Sequence, residues 1–245
     1  MDQNETNLSK KEQREIKKEE REARENKERN RKKWGTIALW SFITLFVGGT
    51  IALMIAMASK NSGGQFVGGS VKAADESDWV RGAAVKDSKV VLTEYGDFQC
   101  PACGAYYPLV KQLEKDFPNL TLVFRHFPLP QHGNAWPAAQ AAEAAGAQGK
   151  FWEMHDMLYE NQDFWSGEKN AQSIFQTYAQ KLGLNIDKFK ADFDSSKAKN
   201  KIESDLQGGT TQINGTPTFF LNNQKIENPQ SYEQFKSIIQ QAFNS

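Results

Sequence analysis

Cysteine is nearly absent: the 245-residue chain holds two, Cys100 and Cys103, beside only three histidines. So small a set allows at most one disulfide within the chain and little material for a metal centre. Net charge is absent too, since 30 Lys and Arg stand against 30 Asp and Glu, and nothing global points to nucleic acid. No internal repeat is visible from about Asp78 to Ser245, a length that suits one ordinary domain with a sizeable core.

The balanced charge hides an uneven distribution. Residues 1–33 carry 12 Lys and Arg and 9 Asp and Glu with hardly an apolar side chain, so they cannot build a core. Glu20 precedes Arg24, Glu25 precedes Arg29 and Glu28 precedes Lys32 by four residues, the order that supports a solvated helix. The basic end, Arg29-Asn30-Arg31-Lys32-Lys33, also suits a docking arm for a cytoplasmic partner or for anionic lipid.

Long apolar runs are confined to one place. Trp34 to Ser59 contains no charged residue and exceeds the roughly 20 positions that cross a bilayer. Basic residues crowd its amino-terminal side, which predicts a single transmembrane signal anchor with a cytoplasmic amino terminus and everything beyond residue 60 exported. A cleaved signal peptide is the rival reading, because Ala56-Met57-Ala58 has the small-X-small form of a cleavage site. The Gly-rich stretch at 60–77 then reads as a flexible tether.

In the domain that follows, apolar and β-rich runs predict strands at Lys89 to Tyr95, Leu120 to Phe124, Thr218 to Leu221 and Gln224 to Ile226. Helical spacing predicts a helix from the cysteine pair to about Phe117, and others over 135–147, 150–161, 171–182, 186–193, 196–206 and 231–243. The order β, α, β, helices, β, β, α describes an α/β fold with a helical insertion at about 133–207. Cys100-Pro101-Ala102-Cys103 follows the first strand, and two thiols so spaced form a redox device by default, with half a metal site or a structural bridge as alternatives.

Four motifs then occur in order: the Cys-Pro-Ala-Cys loop, Phe124-Arg125-His126-Phe127-Pro128-Leu129, Gly149-Lys150-Phe151-Trp152-Glu153-Met154-His155-Asp156, and Gly215-Thr216-Pro217-Thr218-Phe219-Phe220. Together, over about Lys89 to Phe243, they resemble the DsbA-like branch of the thioredoxin superfamily in a membrane-anchored bacterial form. The resemblance implies a thioredoxin-like fold, preceded here by the transmembrane helix.

An exchange enzyme needs an accessible thiolate. Cys100, at or just before a helix start where unpaired N–H groups favour negative charge, is the expected attacking residue; Pro101 is tolerated there because its missing donor would be unpaired anyway. Cys103, one turn on, is expected to be buried and to resolve the mixed disulfide. The resemblance implies that Glu94, on the strand beneath, exchanges a proton with the buried thiol; the alternation Val90, Leu92, Glu94 puts it on an apolar face. Pro217 reads by itself as a turn residue, whereas the resemblance implies a cis Thr216–Pro217 bond whose backbone receives an extended substrate. Ala102 departs from strongly oxidising members, which carry His there, and predicts a milder potential within about −270 to −120 mV.

His126 and His132 complete a formal Cys2His2 set, but the 22 residues between Cys103 and His126 exceed the usual spacing, so no metal is expected. Trp136, Phe151, Trp152, Phe164 and Trp165 read as core or as the seam between insertion and sheet, with a part shaping a shallow groove for unfolded chains. The expected activity is oxidation of thiol pairs in newly exported proteins through the Cys100–Cys103 disulfide, with no other cofactor. The resemblance implies reoxidation by a quinone-linked membrane oxidase. The alternatives are a reductase or isomerase, and a non-catalytic membrane-tethered module that binds peptide or metal.

Overall fold

A computed structural model of the protein describes Arg21, Arg24, Lys27, residues 44–50 and residues 66–245. It divides into two units, Met1–Asn61 and Ser62–Ser245. In the first, residues 44–50 are helical, and Leu45, Phe46 and Val47 are exposed. Among the described residues no helix is long and apolar enough to cross a membrane. Most of the span expected at 34–59, and nearly all of the arm at 1–33, lies outside the described residues.

In the second unit, β1 (Phe66–Ser70), β2 (Trp79–Gly82), β3 (Val91–Gly96), β4 (Thr121–His126), β5 (Thr218–Leu221) and β6 (Gln224–Ile226) form one mixed sheet in the order β1-β6-β5-β3-β4-β2. The middle strand β3 is rich in β-branched and aromatic residues and is buried along almost its whole length. It runs parallel to β4, and a parallel pair requires a crossover, here the helix α1 (Pro101–Asp116). On its other side β5 pairs antiparallel and turns into β6 at Asn222-Asn223, whose φ values of 48° and 68° suit a two-residue hairpin turn.

Two strands differ from the sequence expectation. The supposed tether at 60–77 contains β1, which pairs antiparallel with β6 at the sheet edge. Gly68 and Gly69 adopt φ of 79° and 91° within it, so the strand is irregular and its composition resembles a linker. β2 is four residues long, too short for a periodicity, and exists through its antiparallel pairing with β4.

Between β4 and β5 lie α2 (Ala135–Gly146), α3 (Phe151–Glu160), α4 (Gln162–Trp165), α5 (Gln172–Lys181), α6 (Ile186–Phe193) and α7 (Ser196–Gly209). α2 is alanine-rich on nearly every face and is buried accordingly, its small side chains letting α3, α5 and α6 approach closely. Ser195 and Ser231 accept hydrogen bonds from backbone N–H groups three residues on, capping α7 and the final helix α8 (Tyr232–Asn244).

Leu92 and Glu94 point to one face of the sheet, where α1 and α8 build a core from Leu92, Val110, Leu113, Phe219, Phe235 and Ile239. Each such burial is worth about 1.5–3 kcal/mol. On the opposite face Tyr95, Phe127, Ile213 and Phe220 pack together beside the buried Arg125. That guanidinium is fully engaged: both Asp78 oxygens accept from it at 2.8 Å, and Lys72 O and Tyr95 Oη accept at 2.9 and 3.1 Å. The insertion core reaches the sheet through Phe98 and Phe124 and encloses both cysteines.

Candidate active site

Cys100 occupies the N-cap position of α1 in extended conformation, with Pro101 in the first turn. Its N–H donates to Asp97 O at 3.1 Å, closing the loop between β3 and α1. Both cysteines are free thiols, and the Cys100 sulfur lies 3.3 Å from Thr216 O. The Thr216–Pro217 bond is cis, so the cysteine loop and the strand entering β5 meet at this point. Pro101 and Ala102 are exposed, Cys100 is 7% exposed and Cys103 is 0% exposed.

The two thiols are treated oppositely. Cys100 is lowered to about 5, chiefly by a hydrogen bond from the Cys103 thiol, with help from the N–H groups of Cys103 and Ala102; burial opposes these and loses. Cys103 is pushed well up by burial first, then by its bond to Cys100 and the negative charge of Glu94. At neutral pH the reduced pair therefore holds one thiolate at the mouth and one thiol beneath it.

Glu94 lies under Cys103. Its direct neighbours in the sheet register are Phe124 on β4 and Phe219 on β5, and it is 8% exposed. Burial, with a smaller push from Cys100, raises its carboxyl to about 8, against the downward pull of Arg81. Glu94, Arg81, Tyr107 and His155 line a cavity of about 10 Å³, room for about one water. Arg81 comes from β2 and is held there by others: its guanidinium donates to both Asp156 oxygens at 2.9 and 3.0 Å, pairs with Glu114 and lies 4.4 Å over the Trp152 ring. Lys111 adds a bond to Asp156 at 2.7 Å. Arg81 had no place in the sequence analysis, because β2 carried no signal there.

Four polar residues that the sequence did not single out hold the loop above. Asp97 is buried and accepts from Gln99 N, Leu129 N and His132 Nδ1 at 2.7, 2.9 and 2.6 Å. Gln99 donates to Ser166 O at 2.7 Å and accepts from Asn134 N at 2.6 Å. Gln162, from α4, donates to Phe98 O and Cys100 O at 2.7 and 2.9 Å. Most of these bonds reach groups 30 or more positions away in sequence, so no local pattern announces them.

The histidines stand apart from the sulfurs in their bonding. His126 is buried with Nε2 at 2.8 Å from Glu143, His132 caps the loop on Asp97, and His155, 4% exposed, contacts Asp156 at 2.9 Å and is lowered to about 4 by burial. Among the described residues no group of His, Cys, Asp and Glu is arranged to hold a metal. Of the five aromatics read as core, Phe151 and Trp165 are buried and Trp136 and Trp152 half-buried, but Phe164 is 75% exposed. It is not part of the core, since α4 lasts a single turn and turns one side outward, which leaves it among the aromatics read as shaping a groove.

A family model described as thioredoxin matches residues 75–241. The chain belongs to the thioredoxin family. It is 39% identical over 170 residues to the Na(+)/H(+) antiporter NhaA 1 of Salinispora arenicola, covering 69% of this chain and 25% of that protein. The Na(+)/H(+) antiporter NhaA 3 of Salinispora tropica is 37% identical over 172 residues, with the same coverage. The chain thus spans about a quarter of the length of the curated relatives it matches. Among solved structures, oxidised BdbD from Bacillus subtilis superimposes with a TM-score of 0.63 at 22% identity, over 72% of this chain and 98% of that one. α-DsbA1 from Wolbachia pipientis gives 0.61 at 20% identity, over 70% and 93%. These likenesses establish the thioredoxin-like fold, with DsbA-like structures among its neighbours.

Proposed function

We propose that this thioredoxin-family protein is an extracytoplasmic, membrane-tethered thiol–disulfide oxidoreductase that oxidises cysteine pairs in newly exported proteins. The observation that carries the reading is the split between a thiol at the helix start lowered to about 5 and a more deeply buried one pushed up, three residues apart. A stabilised Cys100 thiolate is a good leaving group and favours the reduced form, which makes the disulfide an oxidant.

In the reaction a substrate thiolate attacks Cys100 of the disulfide form, a new intermolecular S–S bond forms, and Cys103 leaves as a thiolate that takes the proton from Glu94. A second substrate thiolate then attacks the substrate sulfur of the mixed disulfide and Cys100 leaves as a thiolate. Two electrons pass to the enzyme, and the substrate gains a disulfide. For the return half, Glu94 as carboxylate removes the Cys103 proton, and a quinone-linked membrane oxidase is the partner that takes the electrons. Thr216, beside the Cys100 sulfur across the cis bond to Pro217, offers its backbone to an extended substrate segment.

The membrane location is supported by the uncharged run at 34–59. Amino-terminal sequencing of the exported domain tests the tether, and a new terminus near Ser59 would replace it with a cleaved leader. Direction is tested by equilibrium with glutathione buffers: a potential near about −150 mV supports the oxidase, and one near thioredoxin's about −270 mV supports the reductase that Ala102 keeps as the second reading.

A further inference from the structure

Helix α1 carries glycine one residue after its second cysteine, at Gly104, although alanine is the better helix former. The reason lies in the insertion. A Cβ on Gly104 would stand 2.5 Å from Gln162 Oε1, closer than real contacts allow, and 3.1 Å from its Cδ, a tight contact. Gln162 is 9% exposed, and its amide enters the space left by the absent side chain. From there its Nε2 donates to Phe98 O at 2.7 Å and to Cys100 O at 2.9 Å, while Gly104 N donates to the same Cys100 O at 3.1 Å.

We propose that Gln162 is a positioning residue for thiol–disulfide exchange, which ties the insertion to the backbone of the attacking cysteine, and that Gly104 stays without a side chain to admit it. The two bonds span the residues on either side of Gln99, so they fix the approach of the chain into the N-cap. That keeps the Cys100 sulfur over the first N–H groups of α1 and beside Thr216 O. The donating end of the amide also presents positive charge to the backbone that carries the thiolate. A freed loop lets the sulfur drift from the helix start, and the interaction falls off within one turn. Trp165, on the same short helix, is wholly buried with its Nε1 donating to Leu158 O at 2.9 Å, which anchors Gln162 from behind.

The inference rests on Cys100 being the reactive thiol of the proposed function. Its test is the pH dependence of iodoacetamide alkylation at Cys100 in the reduced full chain, for wild type, Gln162→Ala, Gly104→Ala and the double variant, with thermal melts of each. The expected result is a two- to fivefold slower alkylation near pH 4, below the wild-type midpoint of about 5, in either single variant, the scale of a helix-terminus interaction. The double variant is expected to match the singles, since both remove one contact. Gln162→Glu, isosteric but facing two carbonyl oxygens, is expected to slow alkylation further as its carboxyl ionises. Single variants that keep the wild-type profile, whatever their melting temperatures, overturn the proposal, as does a double variant with the product of the single effects. A wild-type Cys100 unreactive below about pH 8 overturns the oxidoreductase reading along with it.

Discussion

The mouth of the site, Cys100 at the start of α1, and its floor, Glu94 on β3, use the same chemistry in opposite senses. At the mouth, backbone donors at the start of α1 and the Cys103 thiol surround Cys100, so negative charge is welcome there. At the floor, Phe124 and Phe219 flank Glu94, and burial outweighs the pull of Arg81, so the acid stays protonated to about 8. The difference teaches that burial alone does not decide a protonation state. Cys100 is 7% exposed and Glu94 8%, and hydrogen bonding to the charged form separates them.

Breaking the mouth has the largest expected effect. Cys100→Ser is expected to slow exchange more than about a thousandfold and to abolish rapid alkylation near pH 6, read by mass spectrometry. Cys103→Ala sharpens the same point: it removes the bond that does most to lower Cys100, so the alkylation midpoint is expected to move up from about 5, whereas Cys103→Ser, which keeps a donor, moves it less.

Breaking the floor comes next. Glu94→Gln removes the proton acceptor for Cys103 and is expected to slow reoxidation by about a hundredfold near neutral pH, in the range that general base catalysis supplies. Stability moves the other way. Because the folded carboxyl is raised from 4.5 to about 8, its contribution is fully present below about pH 4.5 and is lost progressively as pH rises from there to about 8. At pH 7 the glutamine variant is therefore expected to be about 3 kcal/mol more stable, a gain that vanishes near pH 4, measured by urea unfolding of the reduced protein.

A smaller effect is expected from Arg81→Gln. Without that cation the Glu94 carboxyl rises further, and the pH profile of reoxidation shifts upward with it, as stopped-flow measurements across pH will register. The smallest effect on chemistry comes from Arg125→Met on the opposite face. Leaving Asp78 buried without its partner is expected to cost about 3–5 kcal/mol of stability while the Cys100 alkylation midpoint stays where it is. Two arginines, one half-buried beside the acid and one buried across the sheet from it, thus separate electrostatic tuning from structural clamping.

Much of this arrangement was legible from residue order. The period-2 and helical patterns placed β3 to β6 and most helices within a residue or two, because each buries a continuous apolar face. β1 and β2 escaped because a strand rich in glycine, or one of four residues, owes its existence to the neighbour it pairs with. The alternation in β3 put Glu94 on the apolar face, and its cross-strand neighbours Phe124 and Phe219 explain its burial there. The clamp residues Asp97, Gln99, Asn134, whose Nδ2 donates to Glu168 O, and Gln162 could not be read, since each bonds to backbone that the fold brings near from 30 or more positions away.

What the sequence determined by itself is the chemistry available: two thiols at a helix start, a carboxylate on an apolar strand face, and a Thr-Pro step before the last hairpin. These are local properties, written in spacing and residue type. Which thiol is charged, what cation faces Glu94, and why Gly104 must lack a side chain were decided by tertiary structure alone. Each depends on groups that distant elements bring within a few ångströms, where hydrogen bonds and desolvation act.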